Sequence, residues 1–168
     1  MSNPLTVNAP EGKPFVEYER EFDFPVHAVF RAHVDPELYS QWIGPRGLNT
    51  RIDVFEPRPG GAYRFVQAGD DGAEYAFRGV FHSVREDEFM LQTFEYEGYP
   101  DAVTLEYATF SDLPGGRSKL AGRSVFPTLE ARDGFAAEGM ETGMSEGYDQ
   151  LDEVLDRNGA AMAAREEG

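Results

Sequence analysis

Gly139-Met-Glu-Thr-Gly-Met-Ser-Glu-Gly-Tyr-Asp-Gln-Leu-Asp-Glu-Val-Leu155 is the stretch around which this chain is organised. It reads as a helix carrying two interleaved repeats. Gly139, Gly143 and Gly147 recur every four residues, and Met140, Met144 and Tyr148 follow one position later. A period of about 3.6 lays each trio along one slowly drifting stripe. Glycine inside a helix costs roughly 1 kcal/mol against alanine, so the trio calls for a reason. Either another backbone approaches closely, or space is left beneath the helix. The soft Met and Tyr stripe beside the glycines suits a deformable apolar wall. The acids Glu138, Glu141, Glu146, Asp149, Asp152, Glu153 and Asp156 read mostly as the solvated face of this helix.

The sequence before this helix sets what it packs on. Residues 1–14 read as a flexible N-terminal arm, and residues 15–157 as a single domain. Phe15–Phe24 alternates charged and apolar residues, as a first strand does. Pro25 stops it and suits the first turn of a helix that Asp23 could cap. Asp35-Pro36 opens a second short helix in the same way, with Leu38, Tyr39 and Trp42 on its apolar face. The period then changes. Six segments, from Thr50–Phe55 to Arg117–Phe126, alternate like strands and are separated by turn signals such as Pro57-Arg-Pro-Gly-Gly61 and Gly69-Asp-Asp-Gly72. Hairpin spacing implies an antiparallel meander. A short helical segment from Thr128 leads into the long helix, and Asn158-Gly159 marks its end, leaving 158–168 as a frayed tail. The expected fold is therefore α+β, a curved antiparallel sheet of seven strands wrapped around a long C-terminal helix. At 1.5 Å per residue, roughly 18 residues of helix span about 27 Å, enough to cross such a sheet and leave a cavity beneath.

Composition narrows the function. The chain has 168 residues, enough for one domain with a substantial core. It carries 15 basic and 31 acidic residues, a formal net charge of −16, which argues against nucleic acid and anionic membrane as partners. Cysteine is absent, which removes disulfides, thiolate metal sites and cysteine nucleophiles. The N-terminus lacks a basic region and an apolar run, so a cytoplasmic location is expected.

Four local motifs carry a resemblance. Pro25-Val-His-Ala-Val-Phe-Arg-Ala leads into Asp35-Pro-Glu-Leu; Gln41-Trp-Ile-Gly-Pro45 follows; then Ile52-Asp-Val and Pro59-Gly-Gly-Ala-Tyr-Arg-Phe65; and finally the Gly139–Leu155 helix. In this order they resemble the helix-grip superfamily of START-like and birch-pollen-allergen-like proteins, also called SRPBCC. Within it the chain is most similar to the branch named after the activator of the ninety-kilodalton heat-shock protein ATPase. Two departures stand out: Gly147-Tyr148 where the branch often has Gly-Trp, and Phe94 where it often has tryptophan. Both keep an aromatic wall and change its shape.

The residues expected to line a ligand cavity are Trp42, Phe65, Tyr75, Phe77, Phe94, Tyr107, Ser124, Met140, Gly143, Met144 and Tyr148. Strand phase places Tyr75, Phe77, Gly79 and Phe81 on one face, Val103, Leu105 and Tyr107 on another strand's inner face, and Leu120, Gly122, Ser124 and Phe126 on the last. Gly79 and Gly122, with the helix glycines, suggest room that side chains do not fill. Arg64, Arg78 and Arg123 have the opposite phase and point to solvent. No nucleophile elbow occurs, and His27, His33 and His82 lack a ligand-spaced neighbour, so no catalytic residue, metal or cofactor is assigned. Glu95 is the one acid weighed as a cavity group, and an outward position suits it better. The favoured function is binding of a small hydrophobic or amphipathic molecule without defined catalysis. The alternatives are a cyclase-, dehydratase- or hydrolase-like enzyme on an aromatic or polyketide compound, as the resemblance allows, and a chaperone-activator-like interaction module. The expected partner is a small apolar ligand, and a homodimer stays open.

Overall fold

Alternation in Phe15–Phe22 sends Val16, Tyr18, Arg20 and Phe22 to one side, and all four are buried. The arginine breaks the apolar pattern, and it fixes how the long helix packs. The computed structural model describes residues 3–137 and 139–167. In chain order its elements are β1 (Thr6–Asn8), β2 (Phe15–Phe22), α1 (Val26–Val34), α2 (Pro36–Trp42), β3 (Asn49–Phe55), β4 (Ala62–Ala68), β5 (Glu74–Arg85), β6 (Phe89–Tyr96), β7 (Thr104–Leu113), β8 (Arg117–Val125), α3 (Leu129–Ala137) and α4 (Met140–Glu167).

The described residues form one antiparallel sheet in the order β1-β2-β8-β7-β6-β5-β4-β3. It has eight strands where seven were expected. The extra strand comes from the N-terminal arm: Thr6, Val7 and Asn8 pair with Glu19, Tyr18 and Glu17. Three residues are too few to show alternation, and the exposed edge of β2 supplies the pairing. The meander from β3 to β8 is made of hairpins, while α1 and α2 carry the chain from β2 to the opposite edge. Register shifts in β3 between Ile52 and Val54, and in β5 between Phe81 and Ser83, bend the sheet.

Helix ends follow local chemistry. The Asp35 carboxylate accepts from the backbone N–H of Glu37 and Leu38, with Pro36 in the first turn of α2. Asp23 does not cap α1; it accepts instead from Arg117 and Asn3, and Pro25 occupies the cap without a side-chain bond. Gly139 stands outside α4 with φ +80°, so the turn from α3 demands it by backbone conformation, not by space. α4 also continues past the Asn158-Gly159 pair to Glu167. The Asn158 amide donates to the Val154 carbonyl at 2.7 Å, which serves the helix rather than ending it, and the alanines that follow favour helix.

Helix and sheet are joined by a buried ion cluster. Arg20 donates to both carboxylate oxygens of Asp152 (3.1 and 2.7 Å) and to Asp149 (3.0 Å), and its guanidinium lies 4.7 Å from the centre of the Phe22 ring. Asp149 and Asp152 therefore turn toward the sheet instead of forming part of the solvated face. Tyr148, Leu151, Val154 and Leu155 of the same helix enter the core.

Glycine serves the tyrosines. Tyr18 pairs with Gly122 across β2 and β8, and a Cβ on Gly122 would stand 2.1 Å from the Tyr18 ring. Tyr63 pairs with Gly79 across β4 and β5, and a Cβ on Gly79 would stand 2.6 Å from the Tyr63 hydroxyl. At Gly147 a Cβ would approach the Trp42 carbonyl oxygen to 3.3 Å. These three positions make room for aromatic rings and for the end of α2, which corrects the expectation that they leave the space empty.

Gly122→Ala is expected to cost about 1–3 kcal/mol by displacing the Tyr18 ring, read as a lower midpoint in urea unfolding. Arg20→Met strands two acids and is expected to cost about 3 kcal/mol in the same measurement, less any part that water recovers at the partly exposed carboxylates.

Candidate ligand site

The pairing of β7 with β8 sets which side chains of β7 look at α4. Ser124, Gly122 and Leu120 are buried, and they pair with Glu106, Ala108 and Phe110. Thr104, Glu106, Ala108 and Phe110 thus face inward. Val103 and Leu105 are exposed on the outer face, and Tyr107 shares their phase. This reverses the expected orientation and removes Tyr107 from the inner wall. The reason is local: Val103, Leu105 and Tyr107 are more apolar than Thr104, Glu106 and Ala108, so alternation read alone points the wrong way.

The reversal brings in a residue that sequence reasoning missed. Glu106 shares the inner face of β7, where its Oε1 accepts from the Ser124 hydroxyl and its Oε2 from the Thr104 hydroxyl, both at 2.7 Å. Burial pushes its carboxyl up to about 7, against the pull of those two hydrogen bonds. Among the described residues no cation contributes to its surroundings. Counting back by twos from Phe110 would have reached it, since Phe110 is the aromatic that must be buried at that end of the strand.

Four buried tyrosines come from four elements of the core: Tyr18 of β2, Tyr39 of α2, Tyr63 of β4 and Tyr148 of α4. Burial raises each phenol, and the charge of Glu106 adds to the effect at every one. The Tyr63 hydroxyl donates to the Thr93 carbonyl, and the Tyr18 and Tyr148 rings lie 6.5 Å apart, centre to centre. The hydroxyl of Tyr39 has no partner among the described residues, yet it keeps surface that water can reach. The phenols remain neutral donors, while Glu106 can take or give a proton near neutrality.

The expected wall residues divide. Trp42 donates from its ring nitrogen to the Ala32 carbonyl (2.9 Å) and stacks on Tyr148 at 5.8 Å. Phe65, Phe77 and Phe94 stack in series at 5.2 and 5.4 Å. Ser124 bonds Glu106, and Met144 packs against the core. Met140 is half-buried, and a Cβ on Gly143 would meet nothing within 4 Å. Tyr75 lies at the exposed start of β5 beside Tyr96, away from this centre.

His33 packs on Trp42 and Phe110, its Nδ1 bonds the Val29 carbonyl at 2.8 Å, and burial lowers it to about 4. Glu95 is on the outer face, where the Asp101 N–H and Arg78 hold its carboxyl below the usual range. Arg64 and Arg123 also point outward and pair with acids. His27 meets Glu86 and Asp87 at the exposed β5–β6 turn, three potential ligand atoms within 4.8 Å that sequence spacing did not reveal. Two open grooves lie outside the grip. One, of about 320 Å³, runs between Leu5 and the start of α4; the other, of about 410 Å³, lies on the outer face among Val54, Arg64, Arg78, Val80 and Glu95.

The open sheet, the long helix and the element order define a helix-grip protein of the SRPBCC superfamily. The family model described as Activator of Hsp90 ATPase homolog 1-like protein matches residues 23–156, and the chain belongs to that family. A crystal structure of a protein from Rhodobacter sphaeroides is similar at 28% identity and a TM-score of 0.84, covering 92% of this chain and 99% of that one. A solution structure from Arthrobacter aurescens, at 24% identity and TM-score 0.83 over 90% of this chain and 91% of that one, shares the fold. So does a crystal structure from Mycobacterium smegmatis, at 24% identity and TM-score 0.78 over 90% and 97%. No curated protein matches the sequence. Among the described residues no helix is long and apolar enough to cross a membrane.

Glu106 and His33 make opposite demands on pH. With its carboxyl raised from 4.5 to about 7, the contribution of Glu106 is full below about pH 4.5 and is lost as pH rises toward 7. With His33 lowered from 6.5 to about 4, its contribution is full above about pH 6.5 and is lost on acidification. The wild-type profile therefore mixes the two, and a variant separates them. Glu106→Gln is expected to gain about 3 kcal/mol relative to wild type between pH 4.5 and 8, as measured by urea unfolding across that range.

Proposed function

We propose that this chain binds a small apolar or amphipathic molecule between the sheet and α4, with the polar end of the molecule at Glu106. The observation that carries this reading is a carboxyl on the inner face of β7, bonded by the Ser124 and Thr104 hydroxyls, on the side of the sheet that holds the aromatic core. Glu106 keeps part of its surface accessible. A few convergent polar groups in an apolar hollow are what a small-molecule site requires. Trp42, Phe94, Met144 and Tyr148 supply apolar wall, and family membership supports a binding role of this general kind.

A second reading, an activator-like interaction with another protein, is favoured by the outer groove. Val54, Val80, Val103 and Leu105 are exposed on that face, and the family's description names such an activator. Its direct test is stimulation of a purified ninety-kilodalton chaperone ATPase, with Val80→Lys abolishing the effect.

The ligand reading is tested with the neutral fluorophore N-phenyl-1-naphthylamine. Wild type should enhance its emission saturably. Ser124→Leu, which fills space beside Glu106, should weaken binding by about tenfold or more, while Val80→Lys should leave it unchanged and both variants should keep the wild-type far-ultraviolet spectrum. Loss of binding in Val80→Lys with none in Ser124→Leu would move the site to the outer face.

A further inference from the structure

A sheet that packs one face on a helix normally turns polar residues to water on the other. Here the outer face carries an apolar row. Ala62 pairs with Val80, the Val80 N–H donates to the Thr93 hydroxyl, Thr93 pairs with Leu105, and Leu105 with Val125. The row crosses five adjacent strands, from β4 to β8, and Val80 and Leu105 stand exposed in it. Exposed apolar side chains gathered on one face mark a contact surface.

The neighbouring row is charged and neutralises itself. Val54 pairs with Arg64, Arg64 with Arg78, and Arg78 with Glu95, to which it donates at 2.8 Å. Asp53 and Glu97 hold Arg64. With its arginines matched by acids, this face carries little of the chain's formal charge of −16. It also has relief. The open groove of about 410 Å³ is lined by Ala62, Val80, Val54 and Val103. Leu105 stands outside that lining, on β7, three strands from Ala62. A hollow and a projecting side chain thus share one face, in the same row.

We propose that a second copy of this chain docks on the outer face, sheet against sheet, with Leu105 of each copy entering the groove of the other. A two-fold axis running along the strands between β5 and β6 produces this arrangement. It exchanges β4 with β7 and β5 with β6, and moves neither row along the strands. Leu105 of each copy then lies over Ala62 of the other, and Val80 over Thr93. The same rotation sets each Arg78 over the second copy's Glu95, so four charges alternate in sign across the contact. Arg78 is 59% exposed, which leaves its guanidinium free to reach across. Every contact is made twice, as a two-fold interface requires. Packed sheets lie about 10 Å apart with their strands within about 30° of alignment, so side chains of both rows meet. The inner face and α4 lie on the other side of the sheet, and this inference does not depend on the ligand reading.

The chain contains no cysteine, so introduced ones report the geometry directly. Leu105→Cys mixed with Ala62→Cys should form a disulfide-linked pair of chains under mild oxidation with diamide, faster than either variant links to itself. Leu129→Cys, on the exposed side of α3, should not link to Ala62→Cys. Sedimentation equilibrium of the intact chain, from micromolar to millimolar concentration, should show a reversible passage from one chain to two. Salt of about 0.5 M screens the repulsion between two acidic copies. Leu105→Lys and Val80→Lys should each weaken association about tenfold or more, while Leu129→Lys leaves it unchanged and all three keep the wild-type far-ultraviolet spectrum. A one-chain mass at every concentration, association undiminished in Leu105→Lys, or no preferential link between positions 62 and 105 would overturn the proposal. A chain that stays single yet stimulates the chaperone ATPase, with the effect lost in Val80→Lys, would also overturn it and give the face to a different protein. Failure to bind N-phenyl-1-naphthylamine would count against the ligand reading alone.

Discussion

A single buried guanidinium joins the two halves of this fold. Arg20 projects from β2 beneath α4 and bonds two acids one helical turn apart, Asp149 and Asp152. An arginine in that place without partners would be intolerable. Its pairing fixes both the rotation of α4 about its axis and its position along the sheet. Tyr148 precedes Asp149, so the same clamp sets where the Tyr148 ring enters the core, stacked on Trp42 and edge-on to Phe22.

Glycine and tyrosine then work as pairs. Gly122 and Gly79 lie directly across from Tyr18 and Tyr63, and each lets its partner's ring lie over bare backbone. A side chain at either glycine would collide with that ring and displace it. The apolar interior is thus shaped by where side chains are missing, and its polarity by hydroxyls brought there on rings. The outer face of the sheet obeys ordinary surface chemistry, with Arg64, Arg78 and Arg123 each paired with an acid.

Much of the fold was legible because it rests on periodicity. The six-strand meander, the capped α2 and the amphipathic α4 are all local patterns, and the Trp42 and Gly147-Tyr148 motifs placed them in one family. β1 was not legible, because three residues show no pattern and depend on an edge that exists only after folding. The end of α4 was misplaced because Asn158-Gly159 looks like a stop, whereas Asn158 bonds back into the helix. On β8 the residues read as inward, Leu120, Gly122, Ser124 and Phe126, are buried, and on β5 Phe81 is buried while Tyr75, read with the same phase, is exposed. β7 was reversed because its outer face carries the more apolar residues, and that one reversal hid Glu106 behind Tyr107. Strand phase is a property of the partner strand as much as of the strand itself, and Leu120 and Gly122 on β8 decide it here.

The account turns on the state of one carboxyl. Titration of carbon-13-labelled glutamate side chains by nuclear magnetic resonance, with Glu106→Gln used to assign the resonance, measures it directly. A midpoint near 7 for Glu106 is predicted, well above the ordinary 4.5. A midpoint at or below 4.5 would mean a well-solvated or cation-paired group, and would contradict a desolvated, uncompensated carboxyl inside the grip.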